Sequence, residues 1–194
     1  MNLTEIAFIL DRSGSMHSIR DDAIGGFNAF VESQKAMPGE ARFTFVLFDH
    51  EYETVMLRRD LREVEPLTAH TYVPRGTTAL LDAIGRTVNA IGAQLAALPE
   101  SERPSKVIVV ILTDGMENVS KEFTRPQIKE MIKHQEEIYS WEFVYRGANQ
   151  DAFAVGSGLG MRKENIASFA STGVGTRRAF ETANKLTRSY RTRS

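Results

Sequence analysis

The 194 residues contain no cysteine, which removes disulfides, thiolate metal sites and cysteine nucleophiles together and suits a reducing compartment. A dominant charge sign is lacking as well. Lys+Arg 24 against Asp+Glu 25 leaves a formal net charge of -1, so no overall field points to nucleic acid or to an anionic membrane, and any partner must be recognised locally. No apolar run approaches the roughly 18 to 20 residues that span a bilayer. Met1–Leu10 carries Glu5 with no leading Lys or Arg, which predicts no signal peptide and makes the cytoplasm the default location. Internal repeats and low-complexity tracts are missing too. What is present has ordinary globular proportions, 42% hydrophobic and 25% charged, and the length predicts one domain over 1–194.

The apolar pattern alternates between short runs and helical spacing. Leu3–Leu10 reads as a buried strand that delivers a polar loop, Asp11-Arg12-Ser13-Gly14-Ser15. Ile19, Ala23, Phe27, Phe30 and Val31 recur at helical intervals up to about Met37, where Pro38-Gly39 stops them. Arg42–Phe48 and Tyr52–Leu57 flank Asp49-His50-Glu51 and predict a hairpin whose second arm is an antiparallel edge strand. Leu80, Ile84, Val88, Ile91 and Leu95 mark an amphipathic helix. Val107–Leu112 is continuously apolar and mostly β-branched, as a central parallel strand covered on both faces must be, and it stops at Thr113-Asp114-Gly115. Pro126 opens a helix through Ile128, Met131, Ile132 and Ile138; strands follow at Trp141–Tyr145 and Ile166–Phe169, and a helix closes the chain at Val174–Tyr190. The expected fold class is α/β: a doubly wound, mostly parallel sheet with one antiparallel edge strand and helices on both faces.

Ligands of such sheets bind beyond the carboxyl ends of the strands. Three polar loops arrive there, carrying Asp11, Ser13 and Ser15, then Thr78 within Gly76-Thr77-Thr78, then Asp114. Alternate residues of an extended segment point the same way, so Asp11, Ser13 and Ser15 can present their oxygens together. Every donor is a hard oxygen, which suits Mg²⁺ first and Mn²⁺ or Ca²⁺ next, better than Zn²⁺.

These residues, in this order and spacing, resemble the von Willebrand factor A (vWA) domain and its metal-ion-dependent adhesion site, from about Leu3 to Phe169. The resemblance implies a Rossmann-like fold in which Ser13, Ser15 and a threonine coordinate a divalent ion and Asp11 and Asp114 bind directly or through water. The family's Gly-Gly-Thr registers best on Gly76-Thr77-Thr78, which favours Thr78 over its neighbour Thr77. It further implies that a partner protein's Asp or Glu completes the shell and that no catalysis is involved. The form Ser13-Gly14-Ser15-Met16 is similar to small intracellular bacterial members, including those near tellurium-resistance systems.

Other readings weaken on inspection. A haloacid-dehalogenase-like phosphatase also places an Asp after the first strand, but it wants a second Asp where Ser13 stands. A receiver domain needs an acidic pair and Asp11 stands alone. A Mg²⁺-dependent phosphoester hydrolase at the same edge would need a base, and His17 is the one imidazole near Ser13 and Ser15 in sequence. Gly156-Ser157-Gly158-Leu159-Gly160 lacks dinucleotide spacing and reads as a short helix being broken. Glu117 and Asn118 are either supports for the Asp114 loop or a polar turn. The basic stretch Arg177–Ser194 reads as a solvated helix face before it reads as a nucleic-acid patch.

Overall fold

A computed structural model describes residues 3–148 and 151–193. In chain order its elements are β1 (Thr4–Asp11), α1 (Arg20–Lys35), β2 (Ala41–Phe48), β3 (Tyr52–Asp60), α2 (Leu80–Ala96), β4 (Lys106–Thr113), α3 (Arg125–Tyr139), β5 (Glu142–Ala148), α4 (Ala152–Gly158), β6 (Ile166–Phe169) and α5 (Gly173–Thr192). The strands form one six-stranded sheet in the order β3-β2-β1-β4-β5-β6. Every pairing is parallel except β2 with β3, so the expected fold class and its antiparallel edge are observed.

β1 is buried along its whole length because it pairs with β2 on one side and β4 on the other, and helices cover both faces. Its alternate residues feed two cores. Ile6, Phe8 and Leu10 join α1 and α5; Ala7 and Ile9 join α2, α3 and α4. Phe8 meets Phe27 and Phe30 edge-on, at centroid distances of 5.4 and 4.9 Å, and stacks on Phe180 at 5.8 Å. Phe180 reaches this position because α1 carries Gly26, where a Cβ would fall 2.3 Å from its ring.

The element boundaries differ from expectation in instructive places. The edge strand β3 runs on to Asp60, past the Leu57 where apolar alternation gives out, because Arg58 bends it. Arg58 adopts a left-handed φ of 50° at a register shift in the β2–β3 pairing. The first helix begins as a 3-10 turn over Gly14–Ile19 and ends at Lys35. Trp141 is buried but precedes β5, which continues to Ala148. Ile138 departs from the apolar series of α3 and is exposed. Gly156 and Gly158 lie inside α4, and the turn out of it falls on Gly160, at φ 85°. Of the basic C-terminal stretch, Arg177 pairs with Asp22, Arg188 bonds Ser33 and Arg191 is buried against Gln34, while Ser194 lies outside the described residues. No helix among the described residues is long and apolar enough to cross a membrane.

Candidate metal centre

β2, β1 and β4 are neighbours and end at the same edge, so the segments that follow them meet. The long connection after β3 returns to this edge before α2. Backbone bonds lock the four segments together: Arg12 N–H to Phe48 O at 2.8 Å, Arg75 N–H to Arg12 O at 2.8 Å, Gly14 N–H to Gly76 O at 3.1 Å, Ala79 N–H to Asp49 O at 2.8 Å and, from the segment after β4, Asn118 N–H to Thr78 O at 3.1 Å. The Tyr72 hydroxyl, fully buried, donates to Asp11 O at 2.5 Å.

Within this frame the five sequence-selected side chains come together. Ser13 Oγ lies 3.1 Å from Ser15 Oγ, and Ser15 Oγ donates to Asp114 Oδ1 at 2.5 Å. Thr78 Oγ1, Asp11 Oδ2 and Ser13 Oγ surround Gly115: a Cβ there would lie 2.4 Å from the first and 3.2 Å from each of the others. Asp11, Ser13, Thr78 and Asp114 are buried and Ser15 is exposed, so the cluster is a cup open on one side. Of the two adjacent threonines, Thr78 is the buried one and Thr77 faces solvent.

The electrostatics of the cup are those of an uncompensated acid pair. Burial pushes the Asp11 carboxyl up to about 6, against hydrogen bonds from Thr113 Oγ1 at 2.5 Å and Ser13 N–H at 2.6 Å. Burial likewise raises Asp114, despite the bond from Ser15 and another from Ser171 Oγ at 3.3 Å. Among the described residues neither carboxylate has a Lys, Arg or His ion-pair partner. Two buried acids beside three hydroxyls, with no cationic side chain to balance them, are a donor set that fits a hard divalent cation.

The next acidic group along the edge is built the opposite way. Asp49, Glu51 and the His50 imidazole lie within 4.8 Å of one another, a composition that could hold a metal. Asp49, however, already receives Arg12 Nε and Arg75 Nε, both at 2.9 Å, and Arg75 also binds Glu51. Burial works against its ionisation, yet the Glu51 N–H and the two arginines outweigh it and hold its carboxyl below the usual range. This group is a clamp for the Arg12 and Arg75 loops.

Several supports of the cup were given no role by the motifs, including two, Arg12 and Thr113, that stand inside them. Arg12, Asp49, Tyr72, Thr113 and Ser171 gave no local signal, since each acts on a residue distant in sequence or through a backbone atom. Asn118 and Glu117 resolve toward support: Asn118 Oδ1 accepts from Thr78 N–H and its own N–H donates to Thr78 O, both at 3.1 Å. Glu117 accepts from Leu81 N–H at 2.8 Å at the start of α2. His17 is exposed, and His50 packs on Gly76, where φ is 65° and a Cβ would fall 2.1 Å from its Nδ1.

The sheet order, its antiparallel edge and the loops gathered at its carboxyl end define the fold of the von Willebrand factor A domain. No protein-family model and no curated protein matches the chain. Solved structures do match. The vWF domain of the type V pili tip protein Mfa5 from Porphyromonas gingivalis superposes with a TM-score of 0.64 at 12% identity, covering 98% of this chain and 97% of that one. Proximal thread matrix protein 1 from the mussel byssus, in a form with a zinc-occupied MIDAS motif, gives 0.62 at 17% identity, covering 95% of this chain and 46% of that one. A von Willebrand factor type A protein from Catenulispora acidiphila gives 0.60 at 13%, over 93% and 42%. The chain thus spans less than half the length of two of these three, and the likeness is one of fold.

Proposed function

We propose that this protein is a metal-dependent protein-binding module in which Asp11, Ser13, Ser15, Thr78 and Asp114 hold a divalent cation that captures an Asp or Glu side chain of a partner protein. The observation that carries the reading is the cup itself: two buried carboxylates and three hydroxyls, from loops far apart in sequence, without a balancing cationic side chain among the described residues. Mg²⁺ is the first choice for an all-oxygen set, with Mn²⁺ or Ca²⁺ also accommodated. A bound ion of this kind would supply a hard Lewis-acidic centre for an external carboxylate. The zinc-occupied MIDAS motif of the byssus protein supports a metal site in a chain of this fold.

The chain's own residues have separable tasks. The Ser13, Ser15 and Thr78 hydroxyls donate neutral oxygens, so an ion held by them keeps more of its charge for an incoming acid. Asp11 and Asp114 would supply the balancing charge, and Asn118 and Tyr72 hold Thr78 and Asp11 in place through backbone bonds. Ser13 and Ser15 bond each other and Ser15 bonds Asp114, with neither an imidazole nor an amine on either hydroxyl among the described residues, which favours binding over the hydrolase reading. On the resemblance of Ser13-Gly14-Ser15-Met16 we also assign the chain to the small bacterial intracellular group that includes tellurium-resistance-like members, and place it in the cytoplasm.

Two measurements test this. Calorimetric titration with Mg²⁺ and Mn²⁺ is expected to show one saturable site per chain; no uptake of either ion, or of Ca²⁺, overturns the metal. Affinity capture from cell extract with Mg²⁺ against chelator is expected to recover a protein in the first case alone. Recovery insensitive to chelator overturns the bridging role.

A further inference from the structure

Arg146 occupies a position where a sheet of this kind is expected to carry an aliphatic side chain. It lies on β5 between Leu112 of β4 and Ala167 of β6, and it is 4% exposed. Its guanidinium donates from Nε to Thr182 Oγ1 at 3.0 Å and from Nη1 to Tyr145 O at 2.9 Å and Asn165 O at 2.8 Å. All three acceptors are neutral, and no carboxylate among the described residues stands within ion-pair distance. Burial without a counter-charge pulls this guanidinium down to about 10. An isolated buried cation is costly and is retained where something balances it.

The surroundings show where the balance would come from. Arg146 lines a cavity of about 400 Å³ between β6 and the first turns of α5. Arg178, exposed on the rim, is a second guanidinium without an ion-pair partner among the described residues. Ser168 and Thr172 add hydroxyls, Thr182 is spent on Arg146 and Ala179 O, Phe169 and Val174 give apolar walls, and the lining contains no Asp or Glu. An acid at the start of α5, Asp22, packs against Gly173 from α1 and is already paired with Arg177.

We propose that the cavity between β6 and α5 is a binding site for a small phosphate-bearing molecule, with Arg146 at its floor and Arg178 at its rim as the anion-binding groups. Two guanidiniums from different elements can address different oxygens of one tetrahedral anion, hydroxyls can fill its remaining acceptor positions, and the apolar wall suits an organic substituent. The volume is in the range of small-molecule pockets. The site is separate from the metal cup and does not rest on the metal reading; the two share the 170–172 turn, whose Ser171 touches Asp114.

The test is a titration of the full chain with inorganic phosphate and phenyl phosphate in chelator, followed by amide chemical shifts and calorimetry, with sodium chloride matched for ionic strength and acetate as the carboxylate control. Saturable shifts confined to residues 146 and 167–182 are expected, tighter for phenyl phosphate than for phosphate and weakest for acetate. Arg178→Ala, a surface change that leaves the fold intact, is expected to weaken phosphate binding roughly tenfold, the loss of one charge-assisted contact. Arg146→Met is expected to abolish it; should that variant not fold, the wild-type and Arg178→Ala titrations decide the matter alone. Shifts no larger than with chloride, affinity unchanged by Arg178→Ala, or acetate binding as well as phosphate would each overturn the proposal.

Discussion

The two ends of the sheet treat buried acid in opposite ways. At the amino end, Glu5 of β1 is fully buried, but it receives Arg58 Nε at 2.8 Å and Thr44 Oγ1 at 3.3 Å. At the same end Glu142 takes Arg162 Nη1 at 2.9 Å, with Glu136 Oε2 3.6 Å from Arg162 Nε. At the carboxyl end Asp11 and Asp114 are also buried and meet hydroxyls and backbone N–H groups, with no guanidinium among the described residues on either. A guanidinium makes a buried acid part of the scaffold, whereas a hydroxyl leaves its charge available to a ligand. Asp49 shows that the distinction is not one of position: it sits beside the cup, takes two arginines and serves as a clamp.

The largest effect is expected where the scaffold pairing is broken. Arg58→Met leaves Glu5 buried beside Thr44 alone, and the urea midpoint is expected to report a loss of roughly 3 kcal/mol. Asp11→Asn at the other end is expected to lower Mg²⁺ affinity at least a hundredfold, about 2.7 kcal/mol, with the metal-free thermal midpoint unchanged or raised. If Asp11→Asn unfolds the chain instead, the contrast between the two ends fails.

A smaller effect probes the one imperfect pairing at the amino end. Glu136 Oε1 is buried without a hydrogen-bond partner, and burial lifts this carboxyl from 4.5 to about 7 despite Arg162. A raised carboxyl favours the folded state while protonated, so its contribution is intact below pH 4.5 and declines as pH rises through 7. Glu136→Gln is therefore expected to stabilise the protein by about 1 to 2 kcal/mol at pH 8, with the gain vanishing near pH 4; the full shift would represent roughly 3, less the attraction to Arg162 that the amide gives up. A gain that is the same at both pH values would contradict this. Smallest, Asn118→Ala removes a bond that holds the Thr78 loop, and metal affinity measured by calorimetry is expected to fall about tenfold with stability lowered by about 1 kcal/mol.

The strands that carry the cup were legible because burial on both faces demands continuous apolar runs, as in Val107–Leu112, and because each run ends abruptly at a polar loop. Asp11, Ser13, Ser15, Thr78 and Asp114 were legible as a set, since strand ends of a parallel sheet point their loops to one edge. The end of β3 was not legible: an edge strand carries charge, and Arg58 turns inward through a bulge that periodicity does not encode. Nor was Tyr72, which acts through the backbone oxygen of Asp11 at a sequence separation of 61; Asn118 stood out beside the Asp114 loop, but its attachment to Thr78, 40 residues away, did not. Arg146 stood in no motif, and its meaning depends on which charges are missing around it.

Residue type and spacing alone determined the α/β class, the antiparallel edge, and which oxygens face the loop end of the sheet, because periodicity and strand termini are local properties of the chain. Which acids are neutralised and which are left to a ligand was decided by the tertiary structure. That outcome depends on whether an arginine from another element arrives within hydrogen-bonding distance, and packing sets that distance.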